Sequence, residues 1–134
     1  MSVPCIGKIT NGTVPAAAGS DAMLGYFFGE NQYTGGEKTE QSSSAENTFT
    51  YYIPSSLTSV TVGVNGGKLH QGAFENCRNI TNIILKQSDY YIGTKVFYGC
   101  ESLISLDLSK ATSIAAGALG KCSSLTELKL PFIG

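Results

Sequence analysis

Hydrophobic residues in the second half of the chain recur at intervals of 22 or 23 residues. When the repeats are aligned, equivalent positions form columns. Most columns hold Leu, Ile or Val, one holds Phe or Leu, and one holds Cys. The columns are Leu57, Ile80, Leu103 and Leu125; Val60, Ile83, Leu106 and Leu128; Val62, Leu85, Leu108 and Leu130; Leu69, Ile92 and Ile114; Phe74, Phe97 and Leu119; and Cys77, Cys100 and Cys122. A fixed period of this length is typical of a solenoid built from stacked coils.

The spacing within each copy predicts one strand and one turn. Alternation of apolar and polar residues in the first part of the copy directs two side chains inward and leaves their neighbours in solvent. Because one coil cannot bury its own inward face, the coils should stack and pair their strands in a parallel sheet. The predicted strands are Ser59–Val62, Asn82–Leu85, 105–108 and 127–130. The segments around Phe74, Phe97 and Leu119 should form the opposite wall as short helical or 3₁₀ turns.

These repeats resemble the BspA-like leucine-rich repeats of bacterial surface proteins, whose copies read much like Leu-Thr-x-Ile-x-Ile-Pro and then Ile-Gly-x-x-Ala-Phe-x-x-Cys. The resemblance covers residues 53–131. It implies a right-handed leucine-rich-repeat solenoid of the α/β type, with about 3.5 copies between residues 53 and 134. One departure is the proline after the strand, which occurs only as Pro131, while Gly63, Lys86 and Ser109 stand in its place elsewhere. This departure changes turns and leaves the core columns intact.

Residues 1–52 are predicted to form an enlarged, irregular amino-terminal repeat or insertion within the same continuous domain. The segment is rich in Gly, Ser, Thr and Asn, yet residues 23–28 (MLGYFF) are more aromatic than a disordered tail would be. Residues 3–7 (VPCIG) match residues 130–134 (LPFIG). We therefore expect Val3 to end a strand, residues 24–28 to join the far wall and residues 29–50 to form a long excursion. The match also leads us to expect that both ends were cut from a longer array.

Composition and charge exclude several function classes. Only 14% of the residues are charged and the net charge is −1, so the chain lacks the basic surface that nucleic-acid binding requires. Its apolar runs fall short of the roughly 18 residues that cross a bilayer. We expect no nucleic-acid partner, no membrane insertion, no cofactor and no metal, since no Cys pair has zinc-site spacing. The amino terminus also lacks the basic start and apolar stretch of a signal peptide.

Cysteine and histidine are the residue types best suited to catalysis. The repeat pattern predicts a catalytic arrangement for neither of them. Cys77, Cys100 and Cys122 should stack as buried free thiols, with a disulfide between neighbouring rungs as the alternative. The only histidine, His70, is expected at the surface, away from the nucleophile and carboxylate that a catalytic triad needs. We predict that the chain is not an enzyme.

The outward face of the predicted sheet is the candidate binding site, because solenoids commonly bind partners on such extended faces. Tyr90 is added as an exposed anchor on a neighbouring turn, since tyrosine is enriched at binding hot spots. The face consists of the residues between the inward columns: Ser59, Thr61, Asn82, Ile84, Ser105, Asp107, Glu127 and Lys129.

Three functions fit this sequence. The resemblance implies a non-catalytic module at the cell surface or outside the cell, which adheres to a protein of a host, a neighbouring cell or the matrix. A glycan is a second class of ligand for such a face. The alternatives are an accessory domain of a larger secreted enzyme and a structural spacer. Because the ends of a solenoid leave strand edges unpaired, we also expect end-to-end self-association.

Overall fold

Parallel strands at the predicted spacing form the main sheet of the computed structural model, which describes residues 1–9 and 15–131. The strands of the described residues are β1 (Ser2–Val3), β2 (Gly36–Ser42), β3 (Thr48–Pro54), β4 (Ser59–Val62), β5 (Asn82–Leu85), β6 (Tyr90–Ile92), β7 (Ser105–Asp107), β8 (Ala111–Ile114) and β9 (Glu127–Lys129). The main sheet has the order β1-β4-β5-β7-β9 with every pair parallel. This arrangement confirms the predicted solenoid and the strand that begins each coil.

The apolar columns form the interior between the sheet and the far wall. Val60, Ile83 and Leu106 are at most 3% exposed, and each comes from a different coil. On the far wall Phe74 and Phe97 are fully buried, with ring centroids 5.6 Å apart and ring planes within 14° of parallel. Like residues of successive coils therefore pack directly on one another, as the column alignment requires.

The far wall is a series of single turns linked by backbone hydrogen bonds between coils. The N–H of Phe74 donates to the Val96 carbonyl and the N–H of Phe97 to the Ala118 carbonyl, both at 2.8 Å. No helix forms in this wall within residues 69–131, because two residues of each coil have a positive φ that interrupts helical propagation. These left-handed positions are Gly72, Lys95 and Gly117, and Asn76, Gly99 and Lys121.

A second, two-stranded sheet lines the side of the coils that the sequence analysis assigned to turns. It pairs β6 with β8 in parallel and is extended by a bridge from Leu69 to Ile92. Leu69, Ile92 and Ile114 belong to one predicted apolar column. The column was therefore read correctly as inward-facing, but its strand geometry was not predicted.

The amino-terminal segment contacts the stack at several places. Strand β1 pairs with β4 through Val3 and Val62, and the N–H of Leu24 donates to the carbonyl of Ala73 at 2.8 Å on the far wall. Leu24 begins a 3₁₀ helix, Leu24–Phe27. The excursion contains the antiparallel hairpin β2–β3. That residues 1–52 form an enlarged repeat, with a boundary at residue 53, stays a prediction. Residues 132–134, which belong to the motif matched with residues 3–7, lie outside the described part of the chain.

A buried glutamine attaches the hairpin to the first coil. The Gln41 side chain is fully buried, accepts a hydrogen bond from the N–H of Gly25 and donates one to the carbonyl of Glu75, each at 3.0 Å. In the next coil the carbonyl equivalent to that of Glu75, on Tyr98, accepts from the backbone N–H of Asn76 at 2.7 Å. The amide of Gln41 thus stands where a backbone peptide group would otherwise link two coils.

The Glu75 carboxylate makes the second attachment between the hairpin and the coil. One of its oxygens accepts hydrogen bonds from both the N–H and the hydroxyl of Ser42, each at 2.7 Å. Both residues are buried, at 7% and 8% exposure. Hydrogen bonds to a charged acceptor offset its loss of hydration, so this carboxylate is accommodated at the junction.

Candidate functional site

The outward face of the main sheet is one continuous surface across β4, β5, β7 and β9. Strand register places Ser59 beside Asn82, Asn82 beside Ser105, and Ser105 beside Glu127. A second row runs parallel to the first, with Thr61 beside Ile84 and Asp107 beside Lys129. All eight predicted face residues are exposed or half-buried. The structure therefore brings these residues together on one surface, while their role in binding stays a prediction.

Exposed isoleucines give this surface an apolar component. Ile84 on β5 is 43% exposed, and Ile104, which directly precedes β7, is 51% exposed. Ile104 was not predicted as a face residue because it lies just outside the predicted strand. A signal was present: the other residues of that column are Thr58, Thr81 and Thr126, and the Thr81 hydroxyl donates to the Thr58 carbonyl at 3.2 Å. An isoleucine in a threonine column cannot make that bond and leaves its side chain in solvent.

Charged side chains surround a shallow recess at the β7–β9 end of the surface. Its volume is about 160 Å³, and it is lined by Ser105, Leu106, Asp107, Glu127 and Lys129. Hydrogen bonds from Ser109, and more weakly the charges of Lys129 and Lys110, hold the pKa of Asp107 below its ordinary value. The carboxylate is therefore ionised throughout the neutral range.

Tyr90 does not belong to an exposed surface, so its prediction as an exposed anchor was wrong. Its side chain is 2% exposed, whereas that of Tyr91 is 40% exposed. Residue 90 begins β6 and pairs with Ala111, and the alternation of that strand turns Tyr90 inward and Tyr91 outward. Burial, with a contribution from the charge of Asp107, raises the pKa of Tyr90 to about 12.

The prediction of a surface histidine was also wrong. His70 is 8% exposed, and its Nε2 atom lies 2.6 Å from the carbonyl oxygen of Pro15. Pro15 therefore covers the first coil at this point, although it lies 55 positions before His70 in the chain. Column position alone could not reveal this cover, because it depends on how the amino-terminal segment docks.

The cysteine column forms the predicted ladder of free thiols. Cys77 and Cys100 are buried, and Cys122 is half-buried at the last coil. The Cys100 thiol donates to the Phe74 carbonyl and the Cys122 thiol to the Phe97 carbonyl, both at 3.2 Å. Burial raises the pKa of all three thiols above the ordinary value, which keeps them protonated and weakly nucleophilic at neutral pH. Their arrangement is that of a core column.

A second recess lies on the amino-terminal segment, away from the main sheet. It has a volume of about 270 Å³ and is lined by Ser20, Tyr26, Gly29, Glu30 and Tyr51. The Tyr51 hydroxyl donates to the Ser20 carbonyl, and burial, followed by the charge of Glu30, raises the pKa of Tyr51. The sequence does not predict this recess, because its walls meet only when the hairpin packs beside the 3₁₀ helix.

Residues 1–9 and 15–131 contain no cluster of metal-ligating side chains and no membrane-spanning helix. No group of three or more His, Cys, Asp or Glu residues there is arranged to hold a metal ion. None of the helices in the same ranges is long and apolar enough to cross a membrane.

Comparison with known protein families identifies the repeats. A family model described as "BspA type Leucine rich repeat region (6 copies)" matches residues 44–132, which is 89 of the 134 residues. This match confirms the resemblance that the cysteine and leucine columns predicted. Repeats of this type are non-enzymatic, and leucine-rich repeats generally mediate protein interactions. No curated protein and no solved structure matches the chain.

Proposed function

Because the chain belongs to the BspA-type leucine-rich repeat family, we propose that it is a non-catalytic module that binds another protein through the outward face of its main sheet. One observation carries this proposal. The exposed side chains of Ile84 and Ile104 stand on a surface whose other residues are polar or charged. Apolar contacts within a polar surround are the usual composition of protein interfaces.

The rigidity of the face supports binding through many modest contacts. Each face residue belongs to a strand or directly precedes one, and the parallel ladder fixes neighbouring strands about 4.8 Å apart. A preordered surface loses little conformational entropy when a partner docks. The face lacks the Trp, Tyr and Arg residues that dominate small hot spots, so we expect affinity to be spread over several coils.

The chemistry of the face favours a protein over a glycan as the partner. A protein surface can supply apolar side chains for Ile84 and Ile104 and opposite charges for Asp107, Glu127 and Lys129. Carbohydrate sites usually offer an aromatic ring to the flat side of a sugar, and the residues of this face are not aromatic. We propose an extracellular partner, on a host cell, a neighbouring cell or in the matrix, because the repeats resemble those of bacterial surface proteins.

Binding to a panel of purified extracellular-matrix proteins, measured by biolayer interferometry, tests this proposal. A partner found in the panel should bind the Ile84→Glu variant at least about tenfold more weakly, the loss expected for an interface anchor. The matched control is Val64→Glu, since Val64 is 69% exposed in the turn after β4 and lies off the face. Equal weakening by both variants, or binding to cell-wall polysaccharides alone, would argue against this face as a protein site.

A further inference from the structure

The recess beside the 3₁₀ helix has two aromatic walls in fixed positions. Tyr51 forms one wall, and its ring packs so closely on the helix backbone that a Cβ at Gly25 would overlap it. The Tyr51 hydroxyl donates to the carbonyl of Ser20, which holds the far end of the side chain. Tyr26 forms the second wall; it is 39% exposed, and its ring meets that of Phe27 edge to face at 6.5 Å. These contacts hold both rings in fixed orientations.

A carboxylate without a basic partner forms a third part of the lining. Glu30 lines the recess and is exposed. All nine Lys and Arg residues of the chain lie within residues 1–9 and 15–131, where the ion pairs join Lys38 to Glu40 and Arg78 to Glu37. Within those ranges Glu30 has no ion-pair partner, so its charge is available to a ligand.

The electrostatic potential in the recess favours a cation. Burial raises the pKa of Tyr51, and the charges of Glu30 and Asp21 raise it further, so both carboxylates act on this site. The π electrons of aromatic rings add partial negative charge on the ring faces. A carboxylate beside two tyrosine rings therefore attracts a cation and repels an anion.

The size of the recess suits one side chain of a larger partner. Its volume is about 270 Å³, which is below the roughly 300–1,000 Å³ of cavities that enclose drug-sized ligands. Lys and Arg combine an aliphatic stem with a cationic end, which matches aromatic walls beside a carboxylate. A metal ion is a poorer match, because hard cations need several oxygen ligands and Glu30 is the one carboxylate among the lining residues.

We propose that this recess binds the cationic side chain of a lysine or arginine on a partner protein. The ammonium or guanidinium group donates hydrogen bonds to the Glu30 carboxylate, while the aliphatic stem packs on the rings of Tyr26 and Tyr51. A protein is the expected source of the cation, since leucine-rich repeats generally mediate protein interactions. The lining residues lie outside the main sheet. This site and the outward face of the main sheet can therefore be tested, and can fail, independently.

Nuclear magnetic resonance titration of the isotope-labelled chain tests the proposal with blocked amino acids. The acetylated amides of lysine and arginine should each shift the signals of Ser20, Gly29 and Glu30, with a dissociation constant on the order of 1 mM for a single side chain. The acetylated amide of norleucine has a similar carbon chain without the charge and should bind at least about fivefold more weakly. Pentylamine represents a free amine. If it bound more tightly than the lysine derivative, a free amine would be the ligand and the assignment to a protein would be overturned.

Two substitutions in the recess should weaken binding of the lysine derivative by different amounts. Glu30→Gln removes the charge and keeps the shape, so the dissociation constant should rise at least about fivefold. Tyr26→Leu keeps apolar contact but removes the attraction of the ring for a cation, so the rise should be about twofold to threefold.

The matched controls carry the same substitutions at other exposed positions. Glu46→Gln lies in the turn between β2 and β3, and Tyr91→Leu lies on β6, where the side chain is 40% exposed. Neither should change the dissociation constant, and circular dichroism melting shows whether each variant remains folded. No signal shifts in the wild-type chain, equal binding of the norleucine derivative, or an affinity unchanged by Glu30→Gln would each overturn the proposal.

Discussion

The repeat coils and the amino-terminal segment supply hydrogen bonds to equivalent backbone carbonyls by different means. Between coils, the carbonyl of Tyr98 accepts a hydrogen bond from the backbone N–H of Asn76. Between the amino-terminal segment and the first coil, the corresponding carbonyl of Glu75 accepts from the side chain of Gln41. Repetition lets the backbone bond to itself, whereas an irregular segment depends on individual side chains. The coils should therefore tolerate polar substitution on their surfaces better than the hairpin tolerates changes at Gln41.

The two regions also differ in how their apolar residues are buried. In the coils, Phe97 packs between Phe74 and the next coil and is fully buried. On the hairpin, Phe49 in β3 is only half-buried. Burial of a large side chain from several directions is the main source of stability in a repeat stack, since each coil contacts only its neighbours.

The largest expected effect is that of Phe97→Ala. Removing this buried ring should lower the free energy of unfolding by roughly 3–5 kcal/mol, the usual cost of a Phe-to-Ala cavity. The matched substitution Phe49→Ala should cost on the order of 1 kcal/mol, because that ring is partly in solvent. Urea denaturation followed by circular dichroism measures both. If the two variants lost equal amounts of unfolding free energy, burial in the coils would not stabilise the chain more than burial in the hairpin does.

Gln41→Leu should have the next largest effect. Leucine matches the size of glutamine but leaves the N–H of Gly25 and the carbonyl of Glu75 without partners, at about 1–3 kcal/mol for each buried group. Burial of the more apolar leucine side chain offsets part of this cost, so we expect a total loss of roughly 2–4 kcal/mol in the free energy of unfolding. Hydrogen exchange should quicken first in β2 and β3, while the coils remain protected.

The control for this substitution is Gln32→Leu, because Gln32 is exposed. This variant should lie within about 0.5 kcal/mol of the wild type, as surface substitutions usually do. If Gln41→Leu were equally neutral, the amide of Gln41 would not act as a substitute for a backbone peptide group, and other contacts such as the Ser42–Glu75 hydrogen bonds would hold the hairpin.

The repeat coils could be predicted from sequence because their constraints are local and repeated. Each column, such as Val60, Ile83 and Leu106, is set by the same alternation within one coil and by stacking on identical positions in the next. Columns of this kind predicted the strands of the main sheet, the thiol ladder and the outward rows of the candidate binding face. They also gave the correct inward position of Ile92, although not its strand.

The errors and omissions arose where contacts join distant parts of the chain. Tyr90 was read as part of an exposed turn, but pairing of β6 with β8 buries its side chain. Gln41 lies in a polar, nearly low-complexity stretch, and nothing in its local sequence marks a buried residue with two backbone partners. The recess around Tyr51 likewise exists only after the hairpin has docked. Such features depend on one specific arrangement of remote segments, which no local period encodes.

Of these substitutions, His70→Ala should have the smallest effect on the free energy of unfolding. It removes the contact of His70 with Pro15, which is another attachment of the amino-terminal segment to the coils. Loss of the hydrogen bond between Nε2 and the Pro15 carbonyl should lower the free energy of unfolding by about 1 kcal/mol. Hydrogen exchange should quicken near residues 15–22 and remain unchanged in β5 and β7. His70→Gln should restore part of the protection, since its amide can donate to the same carbonyl, and Gln71→Ala should have no local effect. Protection that is insensitive to all three changes would mean that the other contacts of the amino-terminal segment, such as the pairing of β1 with β4 and the hydrogen bonds of Gln41 and Glu75, hold it on the coils without His70.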